Sequence, residues 1–328
     1  MAVLHLFNPE HDIALASNLS NFTAPHAGRQ LRHDLGYLPA IWAAKDDYVL
    51  VDDVEWAKTA YLRQMHRKFE GFVDKRALAK LDIDAVEPWG WDLALRSFLL
   101  RYGVKAVPSE EEIAVIRDLS HRKTAVVLLQ ELQTNGTTGE SWQTDTLERV
   151  GDLLHKYHHL VVKAPWSSSG RGVRFVDGLM DDHQERWISN IMVRQGSIIV
   201  EPFYHKVKDF GMEFESDGLG QVSYLGLSLF HTQNGAYTGN ILASEEEKRE
   251  MIGRYLSTEL LDTVRQLICL RLGKLYRDKY KGPFGVDMMV VNREDENGFL
   301  LHPCVEINLR RTMGHVALKL SEISECGP

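Results

Sequence analysis

Short apolar runs alternate with helical patterns through the first third of the chain. Val3 to Phe7 is such a run, ending in the polar segment Asn8-Pro9-Glu10-His11-Asp12. Tyr48 to Val51 is a second, closed by Asp52-Asp53. Glu55 to Phe69 and Trp91 to Tyr102 carry helical periodicity. Strands separated by helices predict a parallel sheet. Ser109 followed by Glu112 is a capping box, in which the hydroxyl accepts the Glu112 amide and the Glu112 carboxylate reaches back. It opens a helix expected to end near Asp118, and a domain boundary is placed there.

The pattern then changes. Strands are expected at Leu160 to Lys163, Ile198 to Glu201, Val222 to Phe230, Val286 to Val291 and Phe299 to Ile307. Asn297-Gly298 is a hairpin signal between the last two. Ser244 to Glu247 is another capping box, opening a helical stretch expected to reach about Tyr280. Strand pairs with helices predict an α+β unit with antiparallel sheets. The expected fold class is an α/β N-terminal parallel-sheet domain, residues 1–118, followed by a two-lobed α+β unit, residues 119–328. Its lobes are placed at about 119–200 and 201–328.

Composition narrows the function classes. The formal charge is 38 − 46 = −8, with no basic stripe, so no nucleic-acid partner is expected. No apolar run approaches the length of a membrane span, and the N-terminus lacks a basic signal-peptide region. Cys269, Cys304 and Cys326 are far apart and odd in number, which suits a reducing, cytoplasmic setting.

Three segments carry chemistry. In the first, Lys163 ends a strand and Ala164-Pro165-Trp166-Ser167-Ser168-Ser169-Gly170-Arg171-Gly172 follows at once. Small residues let backbone amides approach an anion, and Lys and Arg add positive charge. The segment is not a Walker A loop, since GxxxxGK[ST] is absent. A plain surface turn is the competing reading. In the second, the apolar strand Ile198-Ile199-Val200 runs into Glu201-Pro202-Phe203-Tyr204, with Lys206 and Asp209 beyond. A connector of this kind can offer backbone groups and a carboxylate to an adenine, and Asp209 could bind ribose; a solvated strand end is the alternative. In the third, Asp287 lies in the strand opened by Gly282-Pro283-Phe284-Gly285, and Glu306 and Asn308 end its hairpin partner. Glu306 and Asn308 are two apart and share a face. Three oxygen donors there suit Mg²⁺ completed by nucleotide phosphates; the polar ends of two strands are the competing reading.

Strand lysine, Gly/Ser loop, apolar strand ending in Glu, then Asp, then Glu-x-Asn resembles the ATP-grasp superfamily, as in D-alanine–D-alanine ligase and biotin carboxylase. The resemblance covers roughly Ser120 to the C-terminus. It implies that ATP and Mg²⁺ are bound. Lys163 would contact the α-phosphate, and the loop with Ser168, Ser169, Gly170, Arg171 and Gly172 would close over the β- and γ-phosphates. Glu201 and Phe203 would form the adenine hinge, Asp209 would bind ribose, and Asp287, Glu306 and Asn308 would hold magnesium. The family's earlier phosphate lysine maps to Lys123, with Arg122 fitting the spacing nearly as well. One departure stands out. D-alanine ligases carry an arginine two residues before the first metal carboxylate, where this chain has Gly285. Arg310 and Arg311, directly after Glu-x-Asn, could supply that charge.

The resemblance implies an ADP-forming carbon–nitrogen ligase whose partners are a small-molecule carboxylate and an amine, with no membrane partner. A kinase-type outcome and a non-catalytic nucleotide-binding module remain the alternatives. A homodimer is the assembly this reading allows. Substrate recognition is expected after the first strand, because ligands of open α/β sheets bind outside the carboxyl ends of strands. There Glu10 or Asp12 could hold a cationic amine, and His11 could accept its proton. The competing reading is a helix cap, with Asn8 capping and Pro9 at the first helical position. His155, His158 and His159 have metal-ligand spacing but are expected to straddle a helix end.

Overall fold

The computed structural model describes residues 2–167, 172–233, 236–293 and 298–325. The chain divides into two compact units. One comprises Met1–Asp118, Arg310–Thr312 and Ile323–Pro328, and the other Leu119–Leu309 and Met313–Glu322.

The first unit holds β1 (Val3–Leu6), α1 (His11–Ser17), α2 (His26–Leu35), β2 (Tyr48–Leu50), α3 (Val54–Met65), β3 (Phe72–Val73), β4 (Ala85–Pro88), α4 (Leu93–Arg101) and α5 (Glu110–Leu119). Its sheet has the order β3-β2-β1-β4 and all its pairings are parallel. Leu4 and Leu6 of β1 are buried against Leu95 and Leu99 of α4, while the buried His5 between them pairs with Asp47 at 3.1 Å. The Ser109–Glu112 capping box is present at α5, with both reciprocal hydrogen bonds.

The second unit holds α6 (Lys123–Glu131), β5 (Trp142–Thr144), α7 (Leu147–Tyr157), β6 (His159–Lys163), β7 (Val173–Asp177), α8 (Asp182–Gln195), β8 (Ile198–Pro202), β9 (Lys206–Ser216), β10 (Val222–Gln233), β11 (Ala236–Asn240), α9 (Glu245–Gly253), α10 (Thr258–Tyr276), β12 (Gly282–Asn292), β13 (Phe299–Asn308) and α11 (Met313–Glu325). Two antiparallel sheets result, ordered β5-β8-β6-β7 and β11-β10-β9-β12-β13. The mixed architecture, one parallel sheet and two antiparallel ones, is that expected from the strand and helix pattern. Val150, Leu153 and Leu154 of α7 and Ile188 of α8 pack on β6 and β8. Along α10 the fully buried residues Leu261, Val264, Ile268 and Leu272 recur at helical spacing. Each such side chain contributes roughly 1.5–3 kcal/mol by leaving water.

Several expectations need correction. The helix expected from Ser244 to about Tyr280 is two helices. α9 ends at Gly253, and Ser257 caps α10 by accepting the Leu260 amide at 3.2 Å. Asn8 does not cap α1. Its side-chain amide donates instead to the Gly90 carbonyl and to Asp92, and Glu10 stands at the N-cap position with no side-chain cap bond. Asp47 is buried and receives the Val3 and Ala44 amides. The segment after β10 contains strand β11; Asn234, Gly235 and Asn297 lie outside the described residues.

Candidate functional site

The site in the second unit is assembled where β6, β8, β12 and β13 present charged side chains. Asp287 on β12 and Glu306 on β13 are direct register partners, and Gly285 stands opposite Asn308. Asn308 donates its amide to Asp287 Oδ2 at 3.0 Å. On the other flank of β12, Gly211 of β9 pairs with Asp287. A Cβ at Gly211 would lie 3.3 Å from Asp287 Oδ1 and 3.2 Å from the Val286 carbonyl, so a larger residue would crowd the carboxylate. The ladder of β12 and β13 is irregular between Asp287 and Met289, and Pro303 falls in the facing stretch of β13. Proline has no N–H to give the ladder, and such irregularities re-aim side chains.

Arg122 ties this pair to the loop after β6. One guanidinium nitrogen donates to Glu306 Oε1 at 2.6 Å. The other reaches the Ala164 carbonyl and Ser167 Oγ, the latter at 2.8 Å. Lys123, the alternative at this position, is the first residue of α6 and half-buried. The Arg122 guanidinium is therefore the charge that reaches both the loop and Glu306. The loop is closed at its base by the Ala164 amide donating to the Gly172 carbonyl at 2.7 Å. A Cβ at Gly172 would meet Ser167 Oγ at 2.2 Å, so only glycine fits there. Ser168, Ser169, Gly170 and Arg171 lie outside the described residues.

Lys163 and Glu201 form a buried ion pair at 2.6 Å across β6 and β8. Lys163 Nζ also faces the Val305 carbonyl at 3.4 Å, and Ser141 Oγ donates to Glu201 Oε1 at 3.3 Å. The Cys304 thiol shows that these charges surround one region. Its pKa is pushed up first by burial, then by Glu201, with Lys163 opposing and Asp287 and Glu306 adding to the rise. Phe203 is 42% exposed and meets Phe175 and His205 edge-on. Its backbone amide donates to the His159 carbonyl at 2.9 Å. Asp209 pairs with Lys206 at 2.6 Å and accepts Thr232 Oγ1 at 2.9 Å.

The remaining expected residues gather in the first unit. Arg310 makes a bidentate contact with Asp12, with nitrogen–oxygen distances of 2.8 and 3.1 Å. Burial alone would raise the Asp12 pKa; Arg310 and His11 outweigh it and hold the carboxyl well below the usual range. Arg311 lies over the Trp42 ring at 4.6 Å and reaches Glu87 at 3.4 Å. His11 is buried beneath Gly90, where any Cβ would lie 2.5 Å from its ring. Its Nε2 meets the Trp91 carbonyl at 2.9 Å and its Nδ1 meets Asp12 at 3.3 Å. His11 and Asp12 thus belong to a packed network with Arg310. His155, His158 and His159 do straddle a helix end, since α7 stops at Tyr157 and β6 starts at His159.

The sequence reading missed His302. It is fully buried on β13, and neither ring nitrogen has a hydrogen-bond partner among the described residues. Burial, then the charge of Lys163, pushes its pKa down to about 3. The imidazole is therefore neutral when folded and titrates normally when unfolded. Folding stability from this residue is full above about pH 6.5 and is lost as pH falls toward 3, because the unfolded chain binds the proton. Over the whole window the loss is on the order of 5 kcal/mol at 1.36 kcal/mol per unit. His302→Leu is expected to keep stability at pH 7 and to flatten the melting profile between pH 6.5 and 4. An unchanged acid limb would assign the pH dependence to other groups.

Among solved structures the chain is similar to the biotin carboxylase of Campylobacter jejuni in a β-γ-ATP complex. Identity is 15%, 97% of this chain and 67% of the other are covered, and the TM-score is 0.54. It is also similar to D-alanyl-alanine synthetase A of Vibrio cholerae, at 13% identity over 100% of this chain and 94% of the other, TM-score 0.53. The chain has the ATP-grasp fold. A third ATP-grasp neighbour is the biotin carboxylase domain of the Hydrogenobacter thermophilus 2-oxoglutarate carboxylase, complexed with MgADP, ADP and bicarbonate. It matches at 13% identity, 100% and 70% coverage and a TM-score of 0.52. No family model matches the chain, and no curated protein matches it in sequence. At these identities the likeness is one of ATP-grasp fold. No helix among the described residues is long and apolar enough to cross a membrane.

Proposed function

We propose that this chain is a magnesium-dependent ATP-grasp enzyme that joins a small-molecule carboxylate to an amine with release of ADP. The observation that carries the reading is the Arg122 guanidinium, which links the Ser167 loop to Glu306 beside its register partner Asp287. Anion-binding groups and hard oxygen donors are thereby held in one place by four elements of one unit.

The donor set fits magnesium. Among the described residues no group of three or more His, Cys, Asp or Glu could hold a metal. Two carboxylates and an amide are what a cation completed by nucleotide phosphates requires, rather than an all-protein cage. Asp287, Glu306 and Asn308 would hold Mg²⁺, which supplies charge neutralisation at phosphate oxygens. Lys163 and Arg122 would add fixed positive charge, and the loop up to Gly172, including Ser168, Ser169, Gly170 and Arg171, would offer amides. Glu201, Phe203 and Asp209 would line the base and ribose. Arg310 and Arg311 are assigned to holding the Asp12 and Glu87 carboxylates rather than to a reaction intermediate, because both guanidinium groups are engaged there.

The chemistry follows from the parts. A substrate carboxylate oxygen attacks the γ-phosphorus, and the β–γ bridging bond breaks to release ADP. The amine nitrogen then attacks the acyl carbon of the acylphosphate; the carbon–nitrogen bond forms as the carbon–oxygen bond to phosphate breaks, and inorganic phosphate and a proton are released. Positioning and charge carry such a reaction, and no protein nucleophile is required. Hydroxylamine replaces the amine in the test. With the correct carboxylate and Mg-ATP, a hydroxamate is expected together with stoichiometric ADP. A stable phosphorylated product with no hydroxamate would instead assign a kinase outcome.

A further inference from the structure

The first unit contains a cavity of about 530 Å³, within the range of small-molecule sites. Its walls come from the segments after all four parallel strands: Leu6 to Asn8, Leu50 to Asp52, Asp74 to Arg76 and Asp92 to Phe98. The sheet order β3-β2-β1-β4 reverses direction at β1 and β4. Open α/β sheets bind ligands outside the carboxyl ends of strands at such a switch point.

Three features define what the cavity accepts. Phe7, Phe22, Leu50, Leu95 and Phe98 give it an apolar wall. Arg29, Lys75 and Arg76 are exposed cations lining it, and among the described residues none has a carboxylate at ion-pair distance. Arg29 donates to the Ala24 carbonyl, and Lys75 lies over the Tyr102 ring. Glu10 is the third feature. It is buried to 9% exposure, and Oε1 takes the Arg32 guanidinium at 2.7 Å. Its Oε2 is buried with no hydrogen-bond partner. The other lining carboxylates are engaged. Asp52 meets Arg32, Asp74 receives the Arg76 and Ala77 amides, and Asp92 receives the Leu95 amide and Asn8. A buried carboxylate oxygen without a donor is costly, and a ligand that donates there would complete the arrangement. Burial pushes the Glu10 pKa up against the opposing charge of Arg32, as expected of an oxygen short of donors.

We infer that this cavity binds a compact apolar amino acid or dipeptide, its amine donating to Glu10 Oε2, its carboxylate facing Arg29, Lys75 and Arg76, and its side chain against the phenylalanines. That the bound amine becomes the ligation partner rests on the proposed ligase activity; binding itself does not.

The test is calorimetric titration of the full chain without nucleotide. The probes are phenylalanine and phenylalanyl-leucine, with 3-phenylpropionate lacking the amine, phenethylamine lacking the carboxylate, and inorganic phosphate. At least one zwitterion is expected to bind, with each single-charge analogue at least about tenfold weaker. Glu10→Gln, nearly isosteric, is expected to weaken the zwitterion at least tenfold and to leave 3-phenylpropionate unchanged, with melting showing that the variant is folded. If Glu10→Gln proves unfolded, the analogue series on the wild-type chain decides. No zwitterion binding at millimolar concentration, equal binding of phosphate, or an affinity indifferent to Glu10 in a folded variant would overturn the assignment. Binding without hydroxamate formation would retain the site and remove the ligase reading.

Discussion

Glu306→Gln is expected to lower ADP release by roughly a hundredfold or more while the protein stays folded. A metal carboxylate supplies charge as well as a lone pair, and the neutral amide keeps only the shape; changes one shell further out already cost 10–100-fold at metal sites. The substitution has a structural side, because Glu306 also receives Arg122 at 2.6 Å. Arg122 retains the Ala164 carbonyl and Ser167 Oγ, and glutamine retains an acceptor oxygen. The stability cost should therefore stay near that of one charged hydrogen bond, about 1.5–3 kcal/mol. Melting curves and ADP release together separate the two effects. A folded Glu306→Gln variant with wild-type turnover would remove Glu306 from the metal site.

Lys163→Met is expected to cause the largest loss of stability. Glu201 is buried, and without the ammonium the Ser141 hydroxyl, 3.3 Å away, is its one remaining side-chain donor among the described residues. Removing one partner of a buried pair costs about 3–5 kcal/mol. For a chain of this length that is a fall in Tm of roughly 10 °C. A single variant would thus confuse folding with nucleotide binding. In Lys163→Met/Glu201→Gln the orphaned charge is gone, and most of the stability should return. ATP affinity should not return, because a charged hydrogen bond to phosphate is worth roughly 10- to 150-fold. Recovery of both stability and wild-type affinity would make the pair purely structural.

Much of this arrangement could be read from sequence, and the failures have identifiable physical causes. β6, β8, β10, β12 and β13 were visible because each carries a run of mostly buried apolar residues in an antiparallel sheet. β9 was missed although it is central. Phe210, Met212 and Phe214 share one face, but the other is also buried and carries Gly211 and Glu213, the latter matched by His315 at 3.0 Å, a partner far along the chain. The opposition of Asp287 and Glu306 followed from the hairpin signal. The choice between Arg122 and Lys123 did not, because spacing cannot resolve one residue at a helix start where the side chain turns back to Glu306. His11 and Asp12 looked free in sequence; only the packing beneath Gly90 and the arrival of Arg310 fix them. His302 gave no signal, since its isolation comes from burial on β13, beside Pro303, where the pairing with β12 is irregular.

The central claim is that the second unit binds Mg-ATP, and thermal melting with and without that ligand tests it most directly. At a hundredfold excess over Kd the linkage gain is about 2.7 kcal/mol. For this chain it corresponds to a rise in Tm on the order of 5 °C. The account predicts that rise with millimolar Mg-ATP, a smaller one with ATP in excess chelator, and its loss in Lys163→Met/Glu201→Gln. An unchanged Tm at millimolar Mg-ATP would contradict it.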